Sequence, residues 1–309
     1  MNPASPPPAP AAAFELVEVS PRDGLQNEPG VFSTEDKLEL INRAVQAGVR
    51  RIEVTSFVHP KVVPQMADAE AVCAALPEND AVTYIGLVLN RKGLTRALAT
   101  GRIDEVGCVA VGSDGFGKAN QHQTVDRSID VCQQIISDAR DAGVSVQATI
   151  SVAFGCPFDG PVPTDRVLQI AQALAEARPR EIALADTIGV ANPAAVSELF
   201  ERLRQELPDD LPLRAHFHNT RNTGYANAWA AISSGVRILD ASIGGIGGCP
   251  FAPRATGNIA SEDLLYLLHN AGYDSAVNLE SMINAAGWLA TALERPVPGM
   301  LSRAGNYPD

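Results

Sequence analysis

Apolar and polar positions follow two alternating rhythms along the chain. Short, apolar, β-prone runs recur at residues 14–19, 51–57, 82–89, 105–111, 144–152, 181–185, 213–218 and 236–242. Runs of this length read as strands. Between them lie longer segments whose apolar residues recur every three or four positions, at 34–47, 61–76, 91–100, 124–142, 164–177, 193–207, 223–234 and 261–271. That spacing predicts amphipathic helices, the second of them beginning beyond a proline-containing bend. Ser33 and Thr34 offer a helix start, and Gly48 and Gly143 offer stops. Eight strand–helix units with short turns predict an α/β protein with a closed (β/α)8 TIM barrel over residues 14–275. The alternative is an open doubly wound sheet, and it is weakened because no G-x-G-x-x-G follows the first strand. Residues 276–309 are expected to form an additional C-terminal helix, at 279–293, and a tail packed on the barrel. The Pro- and Gly-rich last residues should be loosely held. The Pro- and Ala-rich residues 1–13 read as a disordered tail.

Composition narrows the partners. The 309 residues are 46% hydrophobic, enough for a large core. The net charge of −12 argues against nucleic acid or an anionic membrane surface, but it leaves room for a local basic pocket holding a small anion. No apolar run approaches the ~20 residues of a membrane-spanning helix. Residues 1–13 contain no Arg or Lys, so they lack the features of a signal or transit peptide. The five cysteines are Cys73, Cys108, Cys132, Cys156 and Cys249. They form no CxxC pair and their number is odd, which argues against structural zinc or a disulfide framework and fits a reducing cytoplasm.

A barrel places chemistry where its strands end, on the C-terminal face. The first strand ends in Arg22-Asp23 with Gln26 just beyond, the second carries Glu53, and the sixth ends at Asp186. The seventh ends in His216-Phe217-His218. Side chains alternate along a strand, so both imidazoles point one way and Phe217 the other. After the eighth strand comes Gly244-Gly245-Ile246-Gly247-Gly248-Cys249-Pro250, then Asn258 and Glu262. Each could be structural on its own: Asp23 as a turn cap, Asp186 as a helix cap, Cys249 as a small inert residue. Their convergence on one face predicts an active site there. Asp23, His216, His218 and Asn258 offer two nitrogens and two oxygens, a set suited to Mg2+ or Mn2+, with Zn2+ as a further option. Cys249 is then free for other work on a glycine-rich loop, whereas Cys156 in Gly155-Cys156-Pro157 reads as structural.

Residues 18–28, 53–57, 60–66, 186–190, 244–251 and 257–263 resemble the motifs of the 3-hydroxy-3-methylglutaryl-CoA lyase family, and the likeness covers roughly residues 14–295. The resemblance implies a metal-dependent carbon–carbon lyase that cleaves this thioester to acetyl-CoA and acetoacetate, as in leucine catabolism. It implies Asp23, His216, His218 and Asn258 as metal ligands, and Asp186 or His216 as the base. Arg22 would neutralise the enolate, Cys249 would supply the proton, and Glu53 and Glu262 would orient Arg22 and the loop. Residues 113–120 resemble the family's segment after the fourth strand, which makes Lys118 a candidate contact for CoA phosphates. An acyl-CoA partner and a homo-oligomer, dimer or tetramer, are expected. One departure stands out. Where the family reads Asp-Thr-Tyr-Gly after the histidines, this chain has Asn219-Thr220-Arg221-Asn222. Arg221 could then reach the substrate's acid half, which makes citramalyl-CoA or a longer-branched hydroxyglutaryl-CoA a rival. Isopropylmalate and homocitrate synthases share the Arg-Asp and HxH elements. The Cys249 loop and the lack of a long C-terminal regulatory extension favour the lyase branch. A barrel retained only as a binding scaffold is the non-enzymatic alternative.

Overall fold

The computed structural model describes residues 12–248 and 257–307. It begins with β1 (Ala12–Ala13) and β2 (Glu15–Glu18), followed by α1 (Thr34–Gln46), β3 (Arg51–Ser56), α2 (Ala69–Ala74) and β4 (Thr83–Leu87). Next come α3 (Arg91–Ala99), β5 (Glu105–Val111), α4 (Asp114–Gln121), α5 (Val125–Asp141), β6 (Ser145–Ser151), α6 (Thr164–Glu176) and β7 (Glu181–Asp186). The chain continues through α7 (Pro193–Glu206), β8 (Leu213–Phe217), α8 (Gly224–Ser233), β9 (Ile238–Ala241) and α9 (Ser261–Asn270). It ends with β10 (Tyr273–Asp274), α10 (Leu279–Ala292) and α11 (Leu301–Ala304). Strands β2 to β9 close a barrel in sequence order, and the ladders between them are parallel. The expected (β/α)8 architecture is therefore the observed one. Among the described residues no helix is long and apolar enough to cross a membrane.

The apolar core lies between the barrel wall and the helical ring. Helix α5 shows why its sequence is helical: Val125, Ser128, Cys132, Ile135, Ile136 and Ala139 recur three or four apart and are all buried on one face. Helix starts are capped locally, with Ser33 Oγ accepting from Asp36 N at 3.1 Å and Asn192 Oδ1 from Ala195 N at 3.1 Å. The barrel interior is charged at its lower end. Arg51, 1% exposed, donates to Glu15 (2.9 Å), Glu105 (2.5 Å) and both oxygens of Glu181 (2.9 and 3.1 Å). Arg214 Nε lies 3.2 Å from Glu181. These strand polar residues were not foreseen. Each buried charge is tolerated because an opposite charge touches it.

Four expectations change. The 61–76 helix shrinks to a 3-10 turn, Pro64–Met66, followed by α2, because Pro64 interrupts the ladder as well as Pro60. Helix α4 appears where no helix was expected. Gly115 and Gly117 hide it, but Ser113 caps it by accepting from Phe116 N at 3.4 Å. Ala12 and Ala13, expected to lie in a disordered tail, pair in parallel with Tyr273 and Asp274, and residues 1–11 lie outside the described residues. That pairing uses backbone groups only, which two alanines do not advertise. Residues 299–301, expected to be loosely held, are pinned to the barrel. Gly299 N donates to Gly244 O at 2.9 Å, and Asp263 accepts from Met300 N (2.8 Å) and Leu301 N (2.9 Å).

Candidate active site at the barrel mouth

Past β2 the chain makes a π-helical turn, Ser20–Gly24. Gly24 is needed there, because a Cβ would come within 2.8 Å of the Ile246 side chain. Glu18, fully buried, ties this turn to the far side of the mouth. It accepts from Ser20 N (2.9 Å), Ile243 N (2.9 Å) and Ser261 Oγ (2.6 Å). The turn aims Arg22 and Asp23 across the mouth. Arg22 is clamped between two carboxylates, with Nε 2.7 Å and Nη2 2.6 Å from Glu53 Oε2, and Nη1 2.6 Å from Asp23 Oδ1. Glu53 thus holds the Arg22 guanidinium in place.

The two histidines of β8 face each other, with Nε2 atoms 3.1 Å apart. Phe217 between them turns away to meet Phe154 in the outer layer at 6.1 Å. Asp23 Oδ2 lies 3.9 Å from both Nε2 atoms. Donor atoms of Asp23, His216 and His218 all fall within 4.8 Å of one another. Asn258, buried beneath, donates from Nδ2 to Asp23 Oδ2 at 2.8 Å and to Ile246 O at 3.1 Å. His216 stands opposite Asp240 of β9 in the ladder, and its Nδ1 is 3.1 Å from Asp240 Oδ2. A carboxylate at Nδ1 fixes the proton there and leaves the Nε2 lone pair facing the site.

The charges agree with this reading. Burial opposes ionisation of Asp23, yet Arg22 and then the two histidines hold its pKa down at about 2. Burial, with a contribution from His216, depresses His218 to about 3 and keeps the ring neutral. For His216 burial works against the proton, but the Asp240 hydrogen bond and Asp23 outweigh it, and its pKa rises. The residues fit a divalent cation: one carboxylate, two imidazoles with converging Nε2 atoms, and a buried Asn258 Oδ1 with no partner.

The other expected residues divide. Gln26 lines the mouth cavity. Glu262 supports the loop after β9, accepting from Gly244 N at 3.0 Å. Asp186 does not enter the cavity, since its two oxygens accept from Val190 N (2.9 Å) and Ala191 N (3.0 Å). It shapes the turn after β7, whose amide N–H donors it accepts from. Lys118 is exposed on α4 and outside the cavity lining, while Asn120, Gln121 and Arg127 nearby do line it. Arg221 is not part of the lining either. Its Nη1 donates to Ile188 O (3.0 Å) and Gly189 O (2.7 Å), so it braces the β7 turn. Asn219 Oδ1 accepts from Gly224 N at 3.1 Å. Cys249 lies outside the described residues. Sequence reasoning missed Asp240 and Arg214. The available signal was alternation, since Arg214 shares a face with His216 and His218.

A family profile described as HMGL-like matches residues 13–288. The (R)-citramalyl-CoA lyase of Chloroflexus aurantiacus is 44% identical, over 95% of each chain. The hydroxymethylglutaryl-CoA lyase YngG of Bacillus subtilis is 40% identical, over 92% of this chain and 94% of its own. The solved B. subtilis HMG-CoA lyase superposes with a TM-score of 0.91 at 38% identity, covering 96% of this chain and 99% of that one. An Acinetobacter baumannii HMG-CoA lyase in complex with coenzyme A and 3-methylmalate gives a TM-score of 0.91 at 35% identity, covering 96% of both chains.

Proposed function

The chain belongs to the HMGL-like family of carbon–carbon lyases, and from that premise we propose that it cleaves 3-hydroxy-3-methylglutaryl-CoA to acetyl-CoA and acetoacetate, with Mg2+ or Mn2+ bound. The observation that carries the reading is the Asp23–His216–His218 triad standing beside the Arg22–Glu53 pair at one barrel mouth. Asp23, His216, His218 and Asn258 would hold a divalent cation, which would supply Lewis acidity toward the substrate hydroxyl.

The chain's own groups do the rest. The substrate hydroxyl gives up its proton, and its O–H electron pair becomes the carbonyl of acetoacetate. The carbon–carbon bonding pair moves into the thioester enolate. The Arg22 guanidinium, held by Glu53 and Asp23, neutralises that enolate oxygen. A proton added to the enolate carbon then gives the methyl group of acetyl-CoA. Cys249 is our donor for it, on the sequence resemblance. His216 is our proton acceptor, because both oxygens of Asp186 are engaged by amides. As the proton acceptor His216 would use its Nε2, since Asp240 holds Nδ1.

A second substrate, citramalyl-CoA, is favoured by the 44% identity to a citramalyl-CoA lyase. It differs by one methylene in the acid half, a difference that a binding pocket resolves by only about 1–3 kcal/mol. The sequence departure that first suggested it, Arg221, stays outside the cavity. We also place the protein in the cytoplasm as a dimer or tetramer, readings supported by the cysteine pattern and the family resemblance. The decisive experiment strips the protein with chelator, restores Mg2+ or Mn2+, and offers a panel of hydroxyacyl-CoAs, with the oxo-acid product identified by mass. Acetoacetate as the best product upholds the proposal. Pyruvate from citramalyl-CoA with a much larger kcat/KM overturns the substrate. Full activity without metal overturns the cofactor. Free CoA released from acetyl-CoA and a 2-oxo acid would move the protein to the condensing synthases.

A further inference from the structure

One wall of the mouth cavity takes no part in the chemistry above. Gln147, Thr149 and Ser151 of β6 are two apart, so they share the inward face, and all three line a cavity of about 910 Å³ together with Arg214, Glu53 and His216. Gln147 is 1% exposed, and its Oε1 has no hydrogen-bond partner. A buried amide oxygen without a partner is destabilising, and a donor on a ligand in the cavity removes that cost. Thr149 Oγ1 accepts from Arg214 Nη2 at 3.1 Å, which leaves the Thr149 hydroxyl proton for an acceptor elsewhere. Arg214 is held from behind by Glu181 (3.2 Å) and Asp240 (3.4 Å). Across the ladder, Gly107 stands in register with Gln147. A Cβ there would lie 3.4 Å from Gln147 Nε2 and 3.6 Å from Glu53 Oε1, so the glycine keeps this end of the cavity open.

Size fixes the orientation of a thioester. Coenzyme A is too large for the barrel interior and must extend outward through the mouth. The acyl end points inward, and the part furthest from sulfur meets the β6 wall. We propose that Gln147 and Thr149, backed by Arg214, form the subsite that recognises the carboxylate-bearing oxo-acid half and sets the choice among hydroxyacyl-CoAs; the proposal rests on the lyase reading above.

The test uses the Mg2+-loaded full chain with Gln147→Leu and Thr149→Val. The first readout is the ratio of kcat/KM for methylglutaryl and citramalyl thioesters. This ratio is independent of the fraction of protein correctly folded, and it should change by about tenfold or more. The second is calorimetric binding of acetoacetate or pyruvate, which should weaken about tenfold, while free CoA binds as before. An unchanged ratio with unchanged oxo-acid affinity overturns the proposal. Equal weakening of CoA and oxo acid also overturns it, because general loosening of the barrel then explains the loss. A wild-type protein that cleaves neither thioester defeats the lyase reading instead, and oxo-acid binding that the two variants abolish would still uphold the subsite.

Discussion

Glu262→Gln should stabilise the protein increasingly as the pH rises to 8, with little effect near pH 4. Glu262 begins α9 and is fully buried. One oxygen accepts from Gly244 N at 3.0 Å, and the other has no partner and packs on Gly299, where an added Cβ would lie 2.1 Å away. Burial, helped by Asp263 and Glu18, pushes this carboxyl up to about 8. An unfolded glutamate titrates near 4.3. Below that pH both states hold the proton and the group contributes no pH dependence. Between the two values only the folded state keeps it, so each pH unit removes about 1.4 kcal/mol of stability. Over the whole window the loss reaches at most about 5 kcal/mol, and relaxation of the buried site brings the expected loss to roughly 2–4 kcal/mol.

Glutamine keeps the acceptor for Gly244 N and cannot ionise. The assay is urea unfolding of both metal-free proteins at pH 5, 6.5 and 8, compared at matched slope. The difference between them should be at most about 1 kcal/mol at pH 5 and grow to roughly 2–4 kcal/mol at pH 8 in favour of the variant. Glu53 and Asp186, also raised mainly by burial, are present in both proteins and cancel in the difference. Two stability profiles that run parallel across this range would refute the reasoning.

Three further outcomes are expected. Arg22→Gln should lower kcat by about 10²–10³ with a much smaller change in KM, since the guanidinium acts on charge that develops during cleavage; a wild-type rate would end that assignment. Asp240→Asn should weaken Mg2+ or Mn2+ binding by about 10–100-fold in calorimetry, because the carboxylate orients the His216 ring; unchanged affinity would remove Asp240 from the site. Arg51→Met should destabilise the fold by about 3–5 kcal/mol, because Glu105 and Glu181 would remain buried without their shared partner; a chemical denaturation midpoint equal to wild type would contradict this.

The barrel and the strand that carries the two histidines were legible because both depend on local periodicity. Strand runs alternate with helical ones, and His216 and His218 share a face whatever the rest of the chain does. What the sequence hid depends on closure. Asp240 reads as one acidic residue in a short apolar strand until β8 and β9 pair and set it opposite His216. Helix α4 was hidden by Gly115 and Gly117, whose low propensity is overridden by packing and by the Ser113 cap. Position at a strand end was a good guide to the mouth and a poor guide to direction. Asp23 and Asp186 both end strands. The π-helical turn carries Asp23 inward, whereas Asp186 is claimed by the amides of Val190 and Ala191.

The same distinction separates the cationic candidates. Arg22 and Arg221 both follow a strand, and only Arg22 meets carboxylates across the mouth. Arg221 finds backbone carbonyls within reach first, so the residue that most departs from the family pattern braces a turn. Substrate choice therefore has to be sought deeper, on strand faces where each side chain is already committed in direction by the pleat. On β6 that commitment places Gln147 and Thr149 toward the reacting groups, where the buried Oε1 of Gln147 is left for a donor on a ligand or a water in the cavity.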